Sequence, residues 1–155
     1  MTALYLEDFA VGQTFGTQVL TVTEEEIIRF AREFDPQPFH IDPALAQTTF
    51  FRGLAASGWH TAALTMRLLV GGDMTPAHGI IGAGFDSLTW PRPVRPSDTL
   101  QVLSEVLDVR RSRSRPTQGT IKLHSRTINQ NDEVVQDSIG NLIIMAKSAS
   151  VSGSQ

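Results

Sequence analysis

The chain contains no cysteine among its 155 residues. This absence excludes disulfide bonds, thiolate catalysis and cysteine-ligated zinc, and it leaves histidines and carboxylates as candidate metal ligands. The histidines and carboxylates do not show the spacing of a metal site, such as two histidines one helical turn apart. We therefore predict no metal. A chain without cysteine also fits a reducing compartment, so we expect a cytoplasmic protein.

Long apolar runs and an excess of basic residues are also absent. No uncharged apolar stretch approaches the roughly 20 residues needed to cross a bilayer. The N-terminus lacks the basic and apolar regions of a signal peptide. The formal net charge of -3 argues against a general affinity for nucleic acid or for an anionic membrane. We expect neither nucleic acid nor membrane as a partner.

The composition is that of one globular domain. Hydrophobic residues make up 41% of the chain and charged residues 19%, which excludes wholesale disorder. The length suits a single core. We assign residues 1–148 to one domain and expect the small, polar tail at 149–155 to be disordered.

The order of helical and strand-like patterns predicts the fold class. A strand is expected over residues 14–22, a helix begins at the Thr23 N-cap and ends before Asp35, and a second, mostly apolar helix covers residues 58–70. Asp42-Pro43 predicts a short helix running through Ala46. Four strands then follow without an intervening helix, over residues 80–90, 99–113, 119–129 and 134–147. This order predicts an α+β fold in which an antiparallel sheet wraps around one buried helix, the hot-dog arrangement.

The segment from Asp35 to His40 is the first candidate for chemistry. Pro36 and Pro38 fix the backbone and disfavour helix in the residues before them, so a stiff, non-helical connector is expected. On such a connector a carboxylate and an imidazole can face one cleft and act as a proton-transfer pair. The alternative is a surface loop in which Asp35 caps a turn and His40 is solvated.

The same segment resembles a motif of the MaoC-like dehydratase family, which includes R-specific enoyl-CoA hydratases. The family motif is Asp, any residue, Asn, Pro, any residue, His, any residue, Asp, and residues 35–42 match it except that Gln37 replaces the Asn. The motif glycine of the family, matched here by Gly58, is commonly preceded by a His, whereas in this chain Ser57 precedes it. Further matches in order are Ala46, Phe50, Gly53, the small residues 54–58, residues 85–100, Gly119 and Asn129-Gln130. The resemblance covers nearly the whole chain.

The resemblance implies a hydratase or dehydratase acting on a 2-enoyl or 3-hydroxyacyl thioester. Asp35 and His40 would hold and deprotonate the water, and the amide of Gly58 at the helix start would stabilise the enolate oxygen. A packing role for Gly58 is the alternative. No metal or redox cofactor is implied, since coenzyme A or an acyl carrier is part of the substrate. Two other functions stay open: a hot-dog thioesterase, and a non-catalytic member that binds acyl thioesters.

Seven residues are candidates for substrate binding: Gln37, Phe39, Ser57, Trp59, Thr61, Arg92 and Arg95. The alternative is that the hydroxyls bond to the helix backbone, the aromatic rings belong to the core and the arginines lie on the solvated surface. Residues 110–115, rich in arginine, could meet phosphates but are more typical of a solvated strand end. We interpret His60 as a buried histidine with its hydrogen bonds satisfied. A homodimer, or a higher even homo-oligomer, is expected from the fold.

Overall fold

The computed structural model describes residues 2–148, so the predicted tail at 149–155 lies outside the described residues. A short 3-10 turn at Leu6–Asp8 precedes the first strand. The helices are α1 (Glu24–Phe34), α2 (Pro38–Ile41), α3 (Pro43–Ala46) and α4 (Gly58–Val70). The strands are β1 (Thr14–Gly16), β2 (Leu20–Thr21), β3 (Ile81–Thr89), β4 (Thr99–Arg111), β5 (Gln118–Ile128) and β6 (Val134–Met145).

All strand pairs of the sheet are antiparallel, in the order β1-β4-β5-β6-β3, with β2 also paired to β4. The long central helix α4 packs against β4 and β6. Its buried residues include Leu64 and Leu68, which join an apolar cluster with Leu100 and Val102 of β4. A curved antiparallel sheet around one central helix is the hot-dog fold, which confirms the predicted fold class.

Local signals in the sequence set the start and end of α1. The Thr23 hydroxyl accepts a hydrogen bond from the Glu26 N–H at 3.2 Å, and the Glu26 carboxylate accepts one from the Thr23 N–H at 3.4 Å. This reciprocal pair satisfies two N–H groups that a helix start leaves without partners. Asp35 is the C-cap, with its N–H donating to the Ala31 carbonyl. The helix therefore ends just before Pro36, as predicted, and this end places Asp35 beside Ser57 at the start of α4.

The structure corrects the prediction for residues 35–40. The segment was expected to be non-helical, but Pro38–Ile41 forms one helical turn, α2. Pro38 occupies its first position, where a proline needs no N–H partner and its fixed φ suits a helix. The rule that disfavours helix acts on Gln37, which is extended with φ -97° and ψ 148°. The turn places His40 in the interior, which removes the solvated-loop alternative.

The predicted strand at 14–22 is also corrected, because it is broken into β1 and β2. Between them, Thr17 bonds to β4 through its side chain: the Val102 N–H donates to the Thr17 hydroxyl at 3.0 Å. The Gln101 side-chain amide donates to the Thr17 carbonyl at 3.2 Å. Side chains thus replace the backbone ladder at this point, so the segment follows β4 without continuous pairing.

Hydroxyl pairs interrupt the apolar inner face of the sheet. Ser104 of β4 and Ser125 of β5 are directly paired in the sheet register and their hydroxyls lie 2.8 Å apart. Thr127 of β5 lies 2.7 Å from the Thr65 hydroxyl of α4. All four side chains are buried, and because each hydroxyl has a partner, their burial carries no unsatisfied polar group.

Strand β3 forms one edge of the sheet and its side chains are largely exposed, including Phe85 and Ile81. Trp59, Met66 and Val70 of α4 are also exposed. An edge strand with free backbone groups and apolar side chains is a surface that can pair with another chain.

Among residues 2–148, no helix is both long and apolar enough to cross a lipid bilayer.

Candidate active site

Asp35 and His40 meet at the junction of α1, α2 and α4. The Nε2 of His40 lies 3.3 Å from Oδ2 of Asp35. The other ring nitrogen, Nδ1, lies 2.6 Å from the Ala55 carbonyl oxygen, which can only accept a hydrogen bond. The Nδ1 atom therefore carries a proton, and a neutral His40 presents the lone pair of Nε2 to the Asp35 carboxylate. Two hydrogen-bond acceptors, Nε2 of His40 and Oδ2 of Asp35, therefore lie close enough to accept from the same donor.

Both carboxylate oxygens of Asp35 receive hydrogen bonds from neighbouring side chains. The Gln37 amide donates to Oδ1 at 2.5 Å and the Ser57 hydroxyl donates to Oδ2 at 2.7 Å. Partial burial acts to raise the pKa of Asp35, but these two hydrogen bonds, together with the attraction of the His40 ring when it is protonated, outweigh it. The pKa of Asp35 is consequently below its ordinary value, and the group is held as a carboxylate.

Ser57 is fully buried and belongs both to the site and to the start of α4. As the N-cap, its hydroxyl oxygen accepts a hydrogen bond from the Trp59 N–H at 3.3 Å. Its single proton goes to Asp35. Ser57 thus links the acidic side chain to the positive end of the central helix. The sequence predicted Ser57 as a substrate-binding residue, whereas in the structure its hydroxyl is committed to Asp35.

Gly58 opens α4 beneath the flat face of Trp90. A Cβ placed on Gly58 would lie 2.8 Å from two atoms of the Trp90 ring, closer than real Cβ contacts come. Close packing is therefore one reason for a glycine here. Gly58 also belongs to the first turn of the helix, where N–H groups have no partner within the helix, and it lines a cavity. Both roles named for Gly58 are compatible with this position.

The cavity has a volume of about 680 Å³ and is bounded by the end of α2, the start of α4 and the segments 50–56 and 90–95. His40, Gly58 and Thr61 of the predicted site line it, and so do Arg92 and Arg95. Asp35 does not line the cavity but contacts His40, which does. No acidic side chain lines the cavity within the part of the chain that the structure describes.

The remaining predicted residues have identifiable structural partners. Phe39 packs against Phe51, with ring centres 5.0 Å apart, and Trp59 packs edge-on against Trp90 at 5.4 Å. The Thr61 hydroxyl donates to the Ser57 carbonyl at 3.4 Å.

The two predicted arginines are also engaged. Arg92 forms an ion pair with Glu133 at 2.8 Å. The guanidinium of Arg95 donates to the carbonyls of Phe51, Gly53 and Leu54 at 2.5, 3.0 and 3.2 Å. Arg95 therefore supports a turn, and phosphate binding by either arginine stays a prediction.

The cavity residues that were not singled out from the sequence for binding include Phe50, Phe51, Arg52 and Trp90. Phe51 also lies beside His40, with ring centres 5.9 Å apart. Arg52 has a positive φ of 53°, which a residue other than glycine or asparagine seldom adopts. Its neighbour Gly53 was noted only as a family match, and that glycine was the signal of an unusual turn at this position.

His60 is buried, as predicted, but its hydrogen bonds are not satisfied. Its ring stacks on Phe30 of α1 with centres 4.5 Å apart, and the buried Nδ1 has no partner among the described residues. Loss of hydration lowers the pKa of His60, with Glu26 opposing and Arg29 adding to this effect. The expectation of a satisfied histidine was therefore wrong, because aromatic stacking rather than hydrogen bonding holds the ring.

The arginine-rich run at 110–115 lies at the far end of β4, away from the cavity. Arg110 pairs with Asp108 at 2.8 Å, and Arg111 pairs with Glu7 at 2.5 Å. These contacts support the interpretation of a solvated strand end. In residues 2–148, no cluster of three or more His, Asp or Glu side chains is arranged to hold a metal ion.

The fold and the site together define a hot-dog protein with an Asp/His pair at the start of its central helix. A family model described as MaoC like domain matches residues 8–127, and the chain belongs to this family. The crystal structure of the MaoC-like dehydratase from Rhodospirillum rubrum is 48% identical, with a TM-score of 0.91. That match covers 95% of this chain and all of the other.

Two curated proteins are similar to the chain in sequence. The uncharacterized protein YdeM of Bacillus subtilis is 34% identical over 142 residues, covering 92% of this chain and 98% of its own length. The (R)-specific enoyl-CoA hydratase of Rhodospirillum rubrum is 34% identical over 97 residues, covering 62% of this chain and 65% of its own. The family and its hydratase members therefore support a hydratase or dehydratase class of function.

Proposed function

We propose that the protein adds water to a 2-enoyl thioester, or removes it from a 3-hydroxyacyl thioester, using Asp35 and His40. The observation that carries this proposal is the meeting of two acceptors, His40 Nε2 and Asp35 Oδ2, 3.3 Å apart beside the cavity. A water oxygen about 2.8 Å from both can donate one proton to each. Water held in this way is both oriented and made more nucleophilic.

In the hydration direction, the water oxygen forms a bond to C3 of the enoyl group while one of its protons passes to the pair. The π electrons move toward the thioester carbonyl, and C2 receives a proton from the same pair. Atoms balance with no other reactant: the water supplies the hydroxyl on C3 and the hydrogen on C2. Dehydration is the same path in reverse.

The developing enolate oxygen needs a hydrogen-bond donor, and the Gly58 N–H is the proposed one. Gly58 lines the cavity at the N-terminus of α4, where the helix dipole favours negative charge. His40 also lines the cavity, on the neighbouring element α2. A thioester carbonyl near Gly58 would bring C2 and C3 toward the water position.

The first experiment is loss of enoyl absorbance with a panel of short and medium 2-enoyl-CoA thioesters, with free thiol followed in parallel. Asp35→Asn should abolish hydration. Asp108→Asn, which makes the same chemical change at a carboxylate on β4 paired with Arg110, should keep full activity. Hydration that survives Asp35→Asn would overturn the proposed role of the pair.

The thiol measurement separates the alternatives. Release of coenzyme A without hydration would indicate a thioesterase, in which water attacks the thioester carbonyl. Binding without turnover, unchanged in Asp35→Asn, would indicate a non-catalytic acyl-thioester-binding protein. The arrangement of Asp35 favours hydratase chemistry, since its carboxylate and the Nε2 of His40 can orient one water between them.

We further propose a homodimer, or an even multiple of it, formed through the exposed edge of β3. This strand presents Phe85 and Ile81 beside unpaired backbone groups, and pairing with a second copy would cover both. Light scattering should give a mass of at least twice 17.0 kDa. Phe85→Asp should lower it, and a monomeric wild type would refute the proposal.

A cytoplasmic location stays an expectation.

A further inference from the structure

The turn that follows α3 holds Arg52 in an unusual backbone conformation at the rim of the cavity. Arg52 has φ 53° and Gly53 has φ 155°. The Arg52 N–H donates to the Thr49 carbonyl at 3.0 Å, and the Gly53 N–H donates to the Ala46 carbonyl at 3.1 Å. A residue with a side chain at positive φ costs free energy, and such conformations concentrate at functional sites. The arginine at this position therefore calls for a role.

Arg95 fixes this turn from behind. Its guanidinium donates to the carbonyls of Phe51, Gly53 and Leu54, so residues on both sides of Arg52 are held. The partly buried Arg95 thus orders the backbone that holds Arg52. Arg95 is a positioning residue in this arrangement, and its own charge is shared among three carbonyls.

The side chain of Arg52 is exposed and lines the cavity. Among residues 2–148, no carboxylate forms an ion pair with it, whereas Arg92 at the same cavity is paired with Glu133. The cavity wall carries no acidic side chain in the described chain. In a protein with net charge -3, this rim is therefore locally positive.

Phe50, two residues before Arg52, adds an aromatic surface to the same cavity. Its side chain is 92% exposed and lines the cavity, and its ring meets Phe51 edge-on with centres 5.3 Å apart. An exposed aromatic face can stack on a nucleobase, and a guanidinium fork can bind a phosphate in two-point contact. The two adjacent groups match the two ends of a nucleotide.

We propose that Phe50 and Arg52 form a subsite for the nucleotide of coenzyme A, with Phe50 against the adenine and Arg52 on a phosphate. The inference rests on the proposed function, because it names the carrier of the acyl group that reacts at His40. A protein carrier offers the phosphate of its pantetheine arm but no base at that position, so the aromatic surface favours coenzyme A. The acyl group would reach Gly58 from this rim.

Tryptophan fluorescence gives a test that does not depend on turnover. The chain has two tryptophans, Trp59 and Trp90, and they contact each other at this cavity. Titration with coenzyme A, dephospho-coenzyme A and pantetheine should quench or shift their emission, with the weakest binding for pantetheine. Kinetics with an enoyl-CoA and the matching enoyl-pantetheine thioester provide the second readout.

Arg52→Gly is the sharpest variant, because glycine suits the positive φ and removes the guanidinium without straining the turn. We expect Kd for coenzyme A and KM for the enoyl-CoA to rise about three- to tenfold, since one exposed charge-assisted contact is lost. The values for pantetheine compounds should not change. Phe50→Ala should raise the same two constants. Arg113→Ala, at the distant β4–β5 turn, is the matched control and should change none of them.

Three outcomes would overturn the subsite. These are equal wild-type affinity for coenzyme A and pantetheine, equal effects of Arg52→Gly on both kinds of thioester, and an effect of Arg113→Ala as large as that of Arg52→Gly. Hydration of an acyl carrier protein thioester, with no response to coenzyme A, would refute the nucleotide subsite and leave the proposed function intact. If the protein binds coenzyme A in a way that depends on Arg52 but has no hydratase activity, the proposed function is refuted and the nucleotide subsite is supported.

Discussion

The Ser57 hydroxyl donates to the Asp35 carboxylate at 2.7 Å while it caps the central helix through the Trp59 N–H. One oxygen atom therefore joins the acidic group of the site to the backbone of α4. A change in the tilt of this helix would move the carboxylate, and loss of the carboxylate would leave a buried hydroxyl without its acceptor.

Replacing Ser57 with alanine should lower both stability and activity. The helix loses its cap, which costs about 1 kcal/mol, and Asp35 loses a hydrogen bond that lowers its pKa. Urea unfolding measures the first effect, and the acid limb of the pH–activity profile, moved to higher pH, measures the second. Ser57→Thr keeps the hydroxyl and should restore most of both. An acid limb that does not move in Ser57→Ala would show that the contact does not influence Asp35.

Asp35 should make the fold sensitive to acid. Its pKa in the folded protein is below the ordinary 3.8, so ionisation stabilises the fold. That stabilisation is complete above 3.8 and is lost as the pH falls through the lower folded value. Urea unfolding of the wild type and of Asp35→Asn across this range should give curves that converge at the acid end. A constant difference between the two would contradict the expected titration.

His60 should destabilise the protein in mild acid. Because burial puts its folded pKa below the ordinary 6.5, the unfolded chain takes up the proton first. The stability that depends on the neutral ring is present above 6.5 and declines as the pH falls below it. His60→Leu removes the unpaired Nδ1 and should flatten this decline, with a gain of roughly 1 kcal/mol in mild acid.

The control for His60 is His78→Asn. His78 is exposed and has φ 67°, a conformation that asparagine tolerates. This variant should leave the decline in place. If both variants behave alike in urea unfolding, the acid sensitivity does not originate at His60.

Gly58→Ala tests the contact with Trp90. The added Cβ would lie 2.8 Å from the indole, so the ring must move or the helix start must shift, at a cost of about 1–3 kcal/mol. Thermal unfolding measures the cost and tryptophan emission reports the movement of the ring. Gly58→Ala combined with Trp90→Leu should recover stability. If the single variant is as stable as the wild type, the packing reason for this glycine is wrong.

Prediction from sequence succeeded where the determinant is local. The Thr23 and Glu26 side chains set the start of α1, and Asp42 caps α3 through the Ala44 and Leu45 N–H groups as its pattern predicts. The long strands β4 to β6 and the antiparallel order followed from alternation and the lack of intervening helices. In the segment 35–40, two local rules for proline act on different residues: Gln37 stays extended before Pro38, and Pro38 itself opens the helical turn α2.

Features that depend on partners distant in sequence could not be predicted. The side-chain bonds of Thr17 to β4, the support of the 51–54 carbonyls by Arg95 and the stacking of His60 on Phe30 join residues 30 to 85 positions apart. For the same reason Arg92 and Arg95 were predicted as binding residues and Arg52 was not. Sequence shows which side chains carry charge, but their partners decide which charge is free.

The paired hydroxyls on the inner face of the sheet also protect the alignment of its strands. Side chains alternate faces along a strand, so a slip of β5 by one residue would turn Ser125 and Thr127 outward. Ser104 would then be buried without its partner, and Thr65 would keep only its hydrogen bond to the Thr61 carbonyl, at a cost that apolar contacts alone would not impose. An all-leucine face could slide by two residues and repack, whereas such a slip would separate the Ser104–Ser125 and Thr65–Thr127 pairs. The hydroxyl pairs therefore favour one alignment of the sheet that packs against α4, and with it of the site.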